Sequence, residues 1–348
     1  MFVYWMMFLI PVLALASPMK TQPSLRKAGW WGLGVLFTLI MGLRHRVGAD
    51  WFSYAYHYEL TDNVPLREAI LTSDIAYALL NWLCALIDGQ IYLVNVICAI
   101  VVMHGLIFFA RRQPVPWLVI VMAVPYYLIV VSMGYTRQGV AMAIEMMALY
   151  SLIDDRNVKK FAVQIVIAGL FHKSALVMLP IAMLVSTTNR GLTILWVVLF
   201  GGGVAGAMLV EYYEILWHTY IESDMESEGS GIRVAMNALP SIILLCYRQR
   251  LRLNEHEVRL WTWIAIFSLM CVPLVGLSST AVDRVALYFM PIQFFVLSRI
   301  YLLFPARWQK LSLLGVAAMY GIVQWVWLVY SKYASMTWLP YQMFPFTD

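Results

Sequence analysis

Residues 91–110 read IYLVNVICAIVVMHGLIFFA and run directly into Arg111-Arg112. The run contains no Asp, Glu, Lys or Arg. At about 1.5 Å of rise per residue, a helix of this length matches the roughly 30 Å hydrocarbon core of a bilayer. Lipid offers the backbone no hydrogen-bond partner, so such a segment satisfies its N–H and C=O groups internally, as an α-helix. Comparable apolar runs occupy about 1–17, 29–43, 73–87, 116–131, 138–153, 160–185, 192–210, 233–247, 260–276, 284–299 and 311–330. Together they predict an all-α polytopic integral membrane protein with ten to twelve transmembrane helices, forming a single transmembrane domain over residues 1–348.

Composition agrees. Hydrophobic residues make up 62% of the chain, charged residues only 12%, and the mean hydropathy is +0.75. These values exclude an ordinary soluble domain. Strands of about ten alternating residues are missing, which argues against an outer-membrane barrel. The net charge of +5 comes largely from short loops, where it sets topology, and carries no nucleic-acid reading. Ala14-Leu15-Ala16 imitates a signal-peptidase site, yet no Lys or Arg precedes Lys20, so residues 1–17 read as a retained first helix. Cys84, Cys98, Cys246 and Cys271 lie in apolar segments without metal-ligand spacing and read as buried small hydrophobes.

Basic loops fix the expected sidedness. Lys20/Arg26/Lys27, Arg111/Arg112, Arg156/Lys159/Lys160, Arg248/Arg250/Arg252/Arg259 and Arg307/Lys310 are expected on the cytoplasmic side. The segments 44–70, 132–137, 211–232, 278–283 and 331–348 then fall outside. Two stretches leave their crossing number open, 71–110 and 160–185. The second is interrupted by His172-Lys173-Ser174. It reads either as a re-entrant or broken helix lining a cavity, or as one long tilted helix whose Lys173 snorkels. The acidic stretch 211–232 reads as a solvated loop or as a lid, and the aromatic tail 331–348 as an interfacial belt.

Four polar clusters fall on the expected outer face: Arg44/Arg46/Asp50, Tyr135/Arg137/Gln138, Arg233, and Asp283/Arg284/Tyr288, with His172-Lys173 reaching them from the broken helix. Arginines on the external side run against the usual bias and point to an anionic ligand. Guanidinium forks suit phosphate oxygens, carboxylates suit hydroxyls and proton transfer, and Trp51, Tyr54 and Tyr288 offer flat faces to sugar rings. Each also has a plainer reading: Asp283-Arg284 as a local ion pair, Arg137 as a snorkelling headgroup contact, Arg233 as a cap, His172 as a satisfied helix breaker. Glu145, in the middle of an apolar run, is tolerable only neutral or paired. There is no GxGxxG after a strand, no P-loop, no Gly-x-Ser-x-Gly elbow and no His-Glu-x-x-His, so a nucleotide-sugar domain is not expected.

In order, Arg44-x-x-Val47-Gly48-Ala49-Asp50-x-x-x-Tyr54, Arg137-Gln138-Gly139-Val140-Ala141, Phe171-His172-Lys173-Ser174-Ala175-Leu176 and Asp283-Arg284-Val285-x-x-Tyr288-Phe289 resemble the EpsG family of Wzy-type polysaccharide polymerases. Ala49 departs from the threonine common in that family. The resemblance implies a multi-pass inner-membrane glycosyltransferase, GT-C-like by analogy, with its active site facing the periplasm of a Gram-negative cell. Its substrates would be oligosaccharide repeat units of O-antigen or a related polysaccharide, carried on undecaprenyl diphosphate and joined en bloc. It implies no cofactor and no metal; membrane lipid and a chain-length regulator are its candidate partners. Asp50, His172, Arg137 and Arg284 are then the candidate catalytic residues, Asp50 foremost as base. Arg44, Arg46, Tyr54, Gln138, Lys173, Arg233, Asp283 and Tyr288 are candidates for substrate binding. A flippase for the same lipid-linked sugar, or an O-antigen ligase, is the alternative.

Overall fold

The computed structural model describes residues 1–17, 23–186, 191, 229–276 and 279–347. The apolar run 192–210, and Glu211, Glu214, Glu222, Asp224, Glu226 and Glu228 of the acidic stretch, lie outside the described residues. The α-helices are α1 (Phe2–Ala16), α2 (Pro23–Gly42), α3 (Trp51–Glu59), α4 (Leu66–Ala69), α5 (Ile75–Ala85), α6 (Gln90–Ala110), α7 (Pro116–Ala123), α8 (Thr136–Ile153), α9 (Val158–Phe171), α10 (Leu179–Ser186), α11 (Ser230–Tyr247), α12 (Glu255–Leu274), α13 (Ser279–Ala286), α14 (Pro291–Leu297) and α15 (Ala306–Tyr330). Among the described residues the β-contact is a single bridge between Arg44 and Met343.

Among the described residues four helices, α6, α11, α12 and α15, are long and apolar enough to cross a membrane, and the pair Ser279–Phe289 with Pro291–Leu297, bent by 45°, makes up to five. The sequence led to a count of ten to twelve. Several runs that read as continuous are interrupted in the structure. Residues 116–132 are α7 followed by a π-helical stretch, Val124–Ser132, that begins next to Pro125. The run 73–87 contributes only the eleven residues of α5. The break expected in 160–185 is present: α9 ends at Phe171, His172 is non-helical, and Lys173–Met178 is a 3-10 segment before α10. The expected outer segment 44–70 holds two short helices, α3 and α4.

The chain forms two compact units, residues 1–147, 167–173 and 304–348, and residues 148–166 and 174–303. In the first, α2 lies along α6. A side chain at Gly42 would put its Cβ 2.6 Å from Val96 Cγ2, so close helix approach requires glycine there. Trp30 stacks on Trp117 with ring centres 4.3 Å apart. The aromatic tail is a brace. Trp338 is buried and donates from Nε1 to Ile129 O at 2.9 Å. Tyr341 donates to Ile40 O, His45 N to Gln342 O, Gly48 N to Thr337 O, and Phe344 N to Leu43 O. Residues 337–344 thus hold residues 40–48 from outside, a tighter role than the interfacial belt expected.

In the second unit α11 packs on α12 and α14. Asn254 and Glu257 form a reciprocal cap on α12, each side chain bonded to the other's backbone N–H at 2.9 Å. Trp261 stacks on Phe295 with centres 4.2 Å apart. Arg299 is buried over the Phe295 ring and reaches Glu257 at 3.3 Å. Of the four cysteines, Cys84, Cys98 and Cys271 are buried and Cys246 is exposed.

Candidate functional site

The turn after α2 places Arg44 where the sequence expects a phosphate ligand, but its guanidinium points inward. Its exposure is 1%. Nε donates to Val47 O at 3.1 Å, Nη1 to Met41 O at 2.5 Å, and Nη2 to Asn95 Oδ1 at 3.1 Å and Thr136 Oγ1 at 2.8 Å. With all three nitrogens engaged, the side chain that the sequence offers for substrate binding here locks the turn to α6 and α8. Gly48 completes that turn at φ +110°, against Met133 O, a position no side chain fits. Arg46, at φ 52°, projects outward and is exposed.

Four stretches of the first unit meet around Arg137, in the first turn of α8. Its Nη1 donates to Ser73 Oγ and to Asp74 Oδ2, both at 2.9 Å. Asp74 stands immediately before α5 with a side chain 10% exposed. The same Oδ2 lies 3.8 Å from His172 Nδ1, which has no hydrogen-bond partner. The helix break at His172 is what turns this ring away from a regular helical position. The Arg137 guanidinium also sits 5.6 Å from the centre of the Tyr54 ring. Burial, then the charge of Asp50, pushes the Tyr54 phenol up to about 12, against the opposing pull of Arg137. His57 on α3 is held below its ordinary value by burial first and Arg137 second. Asp50 stands at the start of α3 and is half-buried, Gln138 is buried beside Arg137, and Lys173 is exposed.

The second unit gathers another cluster. Arg233 grips Asp283 with both arms, Nε to Oδ1 at 2.6 Å and Nη2 to Oδ2 at 2.7 Å. Asp283 thus pairs with a residue 50 positions away, and Arg284 is exposed. Below them, Asn237 donates to Ala286 O at 2.7 Å and accepts from Gln293 Nε2 at 2.5 Å. Tyr288 is fully buried and accepts from Ser174 at 3.2 Å. This network fixes the segment that carries Asp283 and Arg284.

The sequence reading missed Ser73, Asp74, Asn95, Asn237 and Gln293. A signal existed for four of them: Asp74 is a carboxylate at the mouth of an apolar run, and the two asparagines and the glutamine each place an amide inside a largely apolar run. Glu145, which was singled out on that ground, is fully buried with no hydrogen-bond partner on either oxygen.

No curated protein and no solved structure matches this chain. The model of the EpsG family matches residues 31–343, an interval that contains both clusters and the tail brace up to Met343. The chain belongs to the EpsG family, a family of Wzy-like polymerase-type membrane proteins.

Proposed function

We propose that this protein joins undecaprenyl-diphosphate-linked oligosaccharide repeat units, as an O-antigen or related polysaccharide polymerase acting at the external face of the inner membrane. The observation that carries the reading is the grouping of Arg137, Asp74, His172 and Tyr54 from four separate stretches of an otherwise apolar unit. It supplies cation, anion, imidazole and ring face in one partly exposed place, which is what a glycosyl transfer from a lipid diphosphate requires. Arg46 and Arg137 are the groups for the diphosphate, where guanidinium donors oppose the charge that grows as it leaves. Asp50 and His172 are the candidates to take the proton of the acceptor hydroxyl. Gln138, Lys173 and Tyr54 serve orientation and sugar contact. Arg44 contributes by holding the turn that presents Arg46 and Asp50.

The test is a gel ladder of surface polysaccharide from a strain deleted for this gene, complemented with wild type or with Arg137→Ala. Collapse of the ladder to a single repeat unit, restored only by wild type, is the expected result. An undiminished ladder in the deletion strain overturns the proposal; loss of even the single repeat turns it toward a flippase or ligase.

A further inference from the structure

Asp74 joins two of the groups just named. It accepts one 2.9 Å bond from Arg137 and lies 3.8 Å from the unpartnered Nδ1 of His172, with only a tenth of its side chain exposed. We propose that Asp74 is the positioning residue for His172: it orients Nδ1–H, leaving Nε2 to take the proton of the acceptor hydroxyl, while Arg137, itself bonded to Ser73, fixes the place of the carboxylate. The assignment rests on the polymerase reading and selects between its two candidate bases.

The arrangement follows the general pattern of a base oriented by a third group. Such bonds are commonly long without substrate and tighten when it binds, so 3.8 Å is within the range of a poised pair. A carboxylate held by a guanidinium is well fixed, which suits orientation more than proton transfer. The reaction balances as follows. The acceptor oxygen forms a bond to the anomeric carbon, and the bond from that carbon to the diphosphate oxygen breaks, its electron pair leaving with the polyprenyl diphosphate. The hydroxyl proton passes to Nε2 and later to solvent. The titratable and charged groups that share this cluster are Asp74, Arg137, His57, Tyr54, Tyr77, Asp50 and the adjacent Lys173.

The experiment uses detergent-permeabilised membranes from the deletion strain carrying each variant, supplied with lipid-diphosphate-linked repeat units extracted from that strain. The rate of polymer formation is followed across pH, per amount of full-length protein. Asp74→Asn is expected to slow the reaction by about 10²-fold or more and to move the acidic limb of the profile to lower pH, since the anion that favours a protonated imidazole is gone. Asp74→Glu is expected to recover part of the rate, with the limb displaced by less than in Asp74→Asn. A profile that merely scales down at every pH overturns the assignment, because Asp74 then serves only to anchor Arg137; so does an unchanged rate. If Asp74→Asn fails to accumulate, Asp74→Glu decides: a displaced limb supports the proposal, and a profile unchanged in rate and shape overturns it. A wild-type protein that makes no polymer from these units overturns the polymerase reading itself, without any variant being involved.

Discussion

Arg44 and Arg137 bear the same side chain in the same unit, and their surroundings separate them. Arg44 is enclosed by four acceptors, whereas Arg137 is a quarter exposed and paired. Hydrogen bonds to a buried charge are worth about 1.5–3 kcal/mol each, so Arg44→Ala is expected to lower the amount of folded protein in the membrane and its melting temperature. Arg137→Lys should accumulate normally yet lose about 10²-fold in polymer formation, because a point charge replaces a fork. Protein levels by immunoblot, beside the polymer assay, separate the two. Glu145 gives a further contrast. With neither oxygen bonded, the site accepts an uncharged isostere and rejects a fixed charge; Glu145→Gln is expected to accumulate within about twofold of wild type, and Glu145→Lys not at all. The sequence showed that Arg44 mattered but not which way it faced, because its acceptors Asn95 and Thr136 lie 51 and 92 positions away.

At the level of elements, the His-Lys-Ser triplet inside an apolar stretch marked the break near His172 as one of two readings, the other being a tilted helix with a snorkelling Lys173. The 45° bend before Pro291 had no such mark, because Tyr288-Phe289-Met290-Pro291 is apolar throughout and gives no change of period. The tail was misread for a related reason: aromatic residues at a membrane boundary and aromatic residues packed on a turn have the same composition. Its contacts decide between the two. Trp338 fills the space over Gly134, where even a Cβ would approach Trp338 Cζ2 to 2.7 Å. Trp338→Ala is therefore expected to cost about 3–5 kcal/mol and to loosen residues 40–48, read as faster amide exchange there while α12 and α14 stay protected.

For the whole molecule, the class was evident from composition, and the family match to residues 31–343 agrees with the order of the motifs. Sidedness is open to a direct measurement. Cys84, Cys98 and Cys271 are buried, so exposed Cys246 serves as a reporter beside the basic loop 248–252. If basic loops face the cytoplasm, an impermeant maleimide labels Cys246 only after the membrane is opened. A cysteine at Arg46, in a background carrying Cys246→Ala, is then labelled from outside in intact spheroplasts; the reverse pattern inverts the orientation.

The brace between residues 337–344 and 40–48 also has a bearing on time. Tyr341 and Ile40 are 301 positions apart, and at about 5–20 residues per second the ribosome needs roughly 15–60 s to traverse that distance. Throughout that interval the turn carrying Arg44, Arg46 and Asp50 has already been made but lacks its outer support. A nascent chain can thus be inserted through many of its helices before the turn is secured, and competence arrives late in synthesis, as a single event.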